Sequence, residues 1–125
     1  MRPPPRKLYI KPMSQRRNVP RYLYGGEGEL SHPPAGNPAE VTVVSISLGG
    51  CRLQGPKIPP TGETCGIKIE WRGREFEAVG QVCWKGKNNT AGLKFNPLPD
   101  HSLETLRELC ANLRLEPPSG APAHF

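Results

Sequence analysis

The sequence predicts an all-β domain with a C-terminal helix: a small six-stranded antiparallel barrel over residues 22–98, then a helix over 100–115. Three observations carry that prediction. Short runs between Tyr22 and Phe95 alternate apolar and polar side chains with the period of two that a half-buried strand requires. Breaks rich in Gly, Pro and Asn separate those runs at hairpin spacing, and after Pro99 the apolar period lengthens to that of a helix. At 125 residues the chain holds one domain with tails, and the 16 prolines gather toward the ends.

The elements follow in order. Tyr22-Leu23-Tyr24 opens the first strand, broken by Gly25, Gly26 and Gly28, with Glu29 and Leu30 continuing it past a bulge. A loop over residues 31–38 returns the chain antiparallel. Residues 41–47 are dense in β-branched side chains and make the clearest strand. It ends in Leu48-Gly49-Gly50, which permits positive φ and close backbone approach, and then continues as Cys51-Arg52-Leu53. An ordinary barrel corner would use the same glycines. Ile67, Ile69 and Trp71 alternate with charged residues, turn at Gly73, and pair with residues 75–78 as a hairpin. Gly80 reads as a bulge before Val82 and Trp84, and residues 91–95 form the last strand. Leu103, Leu106, Leu109, Cys110 and Leu113 make one helical stripe, with Asp100 or Ser102 as its cap. Residues 116–125 read as a disordered tail and residues 1–14 as a flexible, basic, Pro-rich arm.

Charge is placed unevenly. The formal net charge is +6, yet residues 1–21 hold seven basic side chains and no acidic one, leaving ten basic and eleven acidic, a net of −1, for the rest. The excess positive charge therefore sits at the N-terminal end, where it favours an anionic partner. Within it, Gln15-Arg16-Arg17-Asn18-Val19-Pro20-Arg21 cannot be helical, because Pro20 lacks an amide donor and holds Val19 extended. Guanidinium groups take phosphate oxygens bidentately, stack on aromatic faces and read the O6/N7 edge of guanine, so a purine nucleotide suits all three arginines. A solvated basic tail would carry the same residues.

Other classes are disfavoured. Cys51, Cys65, Cys83 and Cys110 show no Cys-x-x-Cys pair and no nearby histidine at ligand spacing, so they read as structural thiols and no metal is expected. His32, His101 and His124 lack an evident carboxylate or nucleophile partner, and no Gly-rich phosphate loop precedes a helix, so no enzyme and no catalytic residue is expected. A near-neutral body without interleaved aromatics and basic residues on one strand argues against a nucleic-acid partner. No apolar run reaches the length of a membrane span, no secretory signal precedes the first strand, and cytoplasmic residence is the expectation.

The arginine cluster, the serine-glycine turn and the Val82-Cys83-Trp84 and Gly92-Leu93-Lys94-Phe95 strands together resemble the PilZ domain, the bacterial receptor module for cyclic di-GMP. The resemblance covers residues 15–98. Arg17-Asn18-Val19-Pro20-Arg21 matches the family's Arg-x-x-x-Arg motif in full. Ser45-Ile46-Ser47-Leu48-Gly49-Gly50 matches Asp/Asn-x-Ser-x-x-Gly at Ser47 and Gly50 and departs from it at Ser45.

The resemblance implies a PilZ domain over 15–115 with its ligand-binding arm at 15–21. It also implies a non-catalytic signal receptor with cyclic di-GMP as ligand and no other cofactor, acting on a downstream protein in motility, secretion or exopolysaccharide production. The implied ligand-binding residues are Arg16, Arg17, Arg21, Ser45, Ser47, Gly49 and Gly50, with Arg16 associated with two intercalated ligand molecules. Ser45 offers one hydroxyl where a carboxylate would accept from guanine N1 and N2 together. That difference is worth about 1 to 3 kcal/mol, or on the order of ten- to a hundredfold in affinity. The alternative is a degenerate PilZ adaptor that works by protein contacts without nucleotide.

Overall fold

The structure, a computed structural model, describes residues 20–116. The arm expected at 1–14, residues 15–19 of the arginine motif and residues 117–125 of the expected tail lie outside the described residues.

Six strands form the closed barrel: β1 (Tyr22–Ser31), β2 (Pro38–Ile46), β3 (Gly50–Gln54), β4 (Thr64–Trp71), β5 (Arg74–Lys85) and β6 (Thr90–Phe95). All neighbours are antiparallel, in the order β2-β3-β6-β5-β4-β1, and the β1–β2 pairing closes the ring. A helix, α1 (Asp100–Ala111), follows, and then a two-residue strand, β7 (Arg114–Leu115), pairs with the start of β1. Closure removes the exposed edges that six short strands would otherwise present.

The period of two reappears as burial. Val43, Ile46, Cys51, Leu53, Ile67, Ile69, Phe76, Val82 and Leu93 point inward and are essentially inaccessible. Phe76 meets Phe95 at a ring-centroid separation of 5.6 Å and a tilt of 58°, a favourable edge-on arrangement. Helix α1 packs against β5, with Leu106 and Leu109 fully buried. Arg74 at the start of β5 anchors it, donating to Thr105 Oγ1 at 3.1 Å and pairing with Glu108. Burial pushes the Cys110 thiol up to about 11 and raises Cys51, Cys65 and Cys83 as well, with desolvation the leading cause for all four. The thiolate is the reactive form, so all four are held as quiet thiols, Cys51, Cys65 and Cys110 in the core and Cys83 half-buried beside it.

Several local expectations change. Cys51–Leu53 does not continue the preceding strand: the chain reverses over Ser47–Gly49, and β3 runs antiparallel to β2. Among the described residues the glycines with left-handed φ are Gly25, Gly62 and Gly73, so the Gly49–Gly50 step does not use that freedom. Gly80 is not a bulge but a regular pair with Phe95, and the extra residue in β5 is Cys83. Gly80 is there for space, since a Cβ would lie 2.6 Å from the Lys94 carbonyl oxygen. Gly80→Ala should therefore cost about 1–3 kcal/mol in urea denaturation, because backbone rather than a flexible side chain must yield. An unchanged midpoint would contradict that packing.

Helix α1 also differs from its expected form. Pro99 is its N-cap without a side-chain hydrogen bond, so neither Asp100 nor Ser102 caps it, and it ends at Ala111. Arg114 and Leu115 lie in β7, and Glu116, expected in the tail, is tied to the barrel.

Candidate functional site

Strand register gathers the site. One cross-strand row runs around the barrel wall: Leu23 on β1 pairs with Ser45 on β2, Ser45 with Arg52 on β3, Arg52 with Gly92 on β6, and Gly92 with Trp84 on β5. Three of the four pairings have an irregularity beside them, and the β3–β6 pairing is regular. Register shifts occur between Leu23 and Gly26, between Val43 and Ser45, and between Val82 and Trp84. Bulges turn a strand and re-aim its side chains, and three of them here bend the wall along one row.

Arg52 lies between inward-facing Cys51 and Leu53, so it projects outward. The Trp84 indole lies across Gly92: a Cβ there would sit 2.2 Å from Nε1. Glycine at 92 therefore lets an aromatic face lie flat on the wall next to Arg52. Arg52, Trp84, Lys85 and Lys87 line a cleft of about 610 Å³, within the size range of small-ligand sites. Lys85 Nζ donates to the Ile58 carbonyl at 2.9 Å, which fixes its position.

Arg21 precedes β1 at the same end of the barrel. Its carbonyl accepts from the Glu116 amide at 2.8 Å, and Arg52 Nη2 donates to both carboxylate oxygens of Glu116, at 3.0 and 2.8 Å. Burial and then the neighbouring Arg52 charge hold the Arg21 guanidinium below its ordinary pKa, partly offset by Glu116. Two arginines close enough to repel make a place for an anion.

The serine-glycine turn is tightly organised. Ser47 Oγ donates to the Gly50 carbonyl at 3.3 Å and accepts from the Gly49 amide at 3.1 Å, while the Ser47 amide donates to the same Gly50 carbonyl at 2.8 Å. Ser47 is 1 % exposed, so in this conformation its hydroxyl holds the turn. Gly49 is exposed, and a Cβ there would meet only Ser47 Oγ at 4.0 Å, leaving its backbone open to close approach. Gly50 is buried and opens β3. Ser45 is fully buried, and its hydroxyl has no hydrogen-bond partner among the described residues. An orphaned buried hydroxyl costs about 1–3 kcal/mol.

Of the residues expected from sequence, Arg21, Ser45, Ser47, Gly49 and Gly50 thus lie at one end of β1–β3, whereas Arg16 and Arg17 lie outside the described residues. Arg52, Trp84 and Glu116 were missed. Arg52 and Trp84 each look like an ordinary outward strand residue, and only the pairing register unites them.

Elsewhere the surface suits an anion less. A cleft of about 490 Å³ on the opposite wall is lined by Glu27, Glu29, Glu40, Glu70 and Glu75, with Lys68 the lone cation. Another, of about 530 Å³ between the β1–β2 loop and the start of α1, carries Glu29 and Glu77 against Lys68. Among the described residues no His/Cys/Asp/Glu group has metal-site geometry, and no helix is long and apolar enough to cross a membrane.

Comparison with known proteins gives three results. The family model for the PilZ domain matches residues 15–112. No curated protein matches the chain. Among solved structures, the PilZ domain of CeSA from a cellulose-synthesizing bacterium superposes with a TM-score of 0.59 at 14 % identity, covering 73 % of this chain and 94 % of that one. The Bacillus subtilis inhibitor of motility, MotI/DgrA, superposes at 0.60 with 16 % identity, covering 78 % of this chain and 50 % of its own. Identities this low speak to the fold alone.

Proposed function

The chain belongs to the PilZ domain family, and from that premise we propose that it is a non-catalytic receptor for cyclic di-GMP, which passes the signal to a partner protein. The observation that carries this reading is the juxtaposition of Arg21, Arg52 and the flat Trp84 face at one end of the barrel. The ligand presents two phosphates and two guanines. Guanidinium forks at Arg21 and Arg52 match a phosphate or the O6/N7 edge, and an indole face accepts a stacked base. Arg16 and Arg17, just ahead of Arg21 in sequence, would supply the remaining forks, with Arg16 able to serve a second, stacked ligand molecule. Gly49 offers an approachable backbone, and Gly50 begins the strand that presents Arg52.

Ser45 and Ser47 enter differently from the arginines. Both hydroxyls are buried in this conformation, so direct contact with a ligand requires the β2–β3 turn to open. Their part here is to shape the wall beneath Arg52.

In this reading the ligand fixes residues 1–21 against the barrel, and the changed surface is what a partner in motility, secretion or exopolysaccharide production recognises. Ordering a segment on binding lowers affinity but provides a switch. Limited proteolysis tests it: cyclic di-GMP should protect bonds within residues 1–21, and equal cleavage with and without ligand would refute the switch.

A second reading has its own support. The buried serines, together with exposed Leu23, Leu48 and Leu115, fit an adaptor that binds a protein without nucleotide. Cytoplasmic residence belongs to the receptor reading, in which the signal is intracellular cyclic di-GMP.

A further inference from the structure

Glu116 stands out among the ion pairs. Its side chain and that of Arg52 are only 12 % and 16 % exposed, whereas the other described pairs, His32–Glu63, Lys68–Glu75 and Arg74–Glu108, are all about 39 % exposed or more. Such a pair is less screened by water and salt than a surface one, and removing either partner leaves the other charge partly buried and uncompensated. It is also the only side-chain hold, among the described contacts, on a segment that has little else. Strand β7 is two exposed residues long, with Leu115 59 % exposed, and the Glu116 amide bond to Arg21 completes its attachment.

We propose that Glu116 is an internal counter-ion that closes the anion site of the unliganded protein. Its carboxylate takes the Arg52 fork, its amide ties the C-terminal segment to Arg21, and a phosphate of the incoming dinucleotide displaces it. The inference rests on the receptor reading and adds regulation to that same site.

The chemistry of exchange is simple. A phosphodiester carries one negative charge and two acceptor oxygens, the features by which the Glu116 carboxylate engages Arg52. Neither anion can use the fork while the other holds it. The apparent affinity is therefore lowered by the fraction of molecules in which Glu116 is engaged. Once released, a segment with no buried apolar side chain has little to hold it in place. Its departure frees the backbone of Tyr22 and Leu23 that pairs with Leu115 and Arg114. Ligand occupancy at Arg52 is thereby converted into exposure of β1, next to the exposed Leu23 side chain.

The test uses the full chain, titrated calorimetrically with cyclic di-GMP as wild type, Glu116→Gln and Glu104→Gln. Glu104 is an exposed residue of α1 and controls for loss of one negative charge. Glu116→Gln should bind about tenfold tighter, equivalent to about 1.4 kcal/mol, with Glu104→Gln within about twofold of wild type. In wild type, hydrogen exchange at the Glu116 amide should accelerate on saturation with ligand, a readout that does not depend on a variant folding. Binding by wild type with no gain in Glu116→Gln and no change in exchange would overturn the counter-ion role and leave the receptor reading standing. Failure of all three proteins to bind, while folded, would overturn both.

Discussion

Arg21→Ala is expected to weaken cyclic di-GMP binding by about ten- to a hundredfold while leaving the barrel folded. A hydrogen-bonded charge is worth about 1.5–3 kcal/mol, and Arg21 brings a fork that no neighbour except Arg52 could replace from the described residues. The side chain lies ahead of β1 and is only partly buried, so its removal opens no core cavity. Two effects oppose each other. Losing Arg21 relieves repulsion at Arg52, but it also deletes half of the cationic pair that an anion would bridge. The second effect is larger, because a fork aimed at an anion is a specific contact whereas the repulsion is screened by solvent and salt. Arg21→Lys should fall between the two, since it keeps the charge and loses the bidentate geometry. Titration calorimetry beside circular dichroism separates binding from folding. Full affinity in Arg21→Ala would remove Arg21 from the site.

Phe76→Ala should produce the largest loss of stability, about 3–5 kcal/mol by urea denaturation. Phe76 is 1 % exposed, meets Phe95 across the barrel interior, and lies on β5, the strand that carries both Trp84 and the packing surface for α1. The cavity left by a phenyl ring cannot be filled by neighbours that are themselves fixed in strands. Against a typical domain stability of about 5–15 kcal/mol, such a loss removes a large share of the total. Ligand binding should then fall only through the unfolded fraction, and saturating ligand should partly restore stability. A loss below about 1 kcal/mol would show that the interior is more plastic than this packing implies.

Much of the fold was legible because a closed barrel writes its wall into the sequence as alternation. Val41, Val43, Ile67, Ile69, Phe76, Ala78 and Val82 are apolar at every second place within their strands, and all of them are buried. What stayed hidden was geometry that alternation does not encode. The β2–β3 reversal keeps its apolar residues on either side of the turn, so Cys51-Arg52-Leu53 reads equally as a continuation or a return. Gly80 and Gly92 look like strand interruptions, yet one makes room for the Lys94 carbonyl and the other for an indole ring. Those needs arise from the neighbouring strand.

The site divides in the same way. Its arginine and serine-glycine motifs are local and could be read directly. Arg52 and Trp84 come together only through the β3–β6–β5 register, with Cys83 bulged beside them. Glu116 is a single carboxylate at the edge of a Pro-rich terminus, and nothing nearby in sequence points to Arg52, 64 positions earlier. A long-range ion pair has no local signature.

The central claim is tested most directly by calorimetric titration of the folded full-length chain with cyclic di-GMP. The account predicts saturable binding with a dissociation constant on the order of micromolar, and a stoichiometry of one or two ligands per chain. A chain that stays folded and gives no saturable heat at millimolar ligand would contradict it.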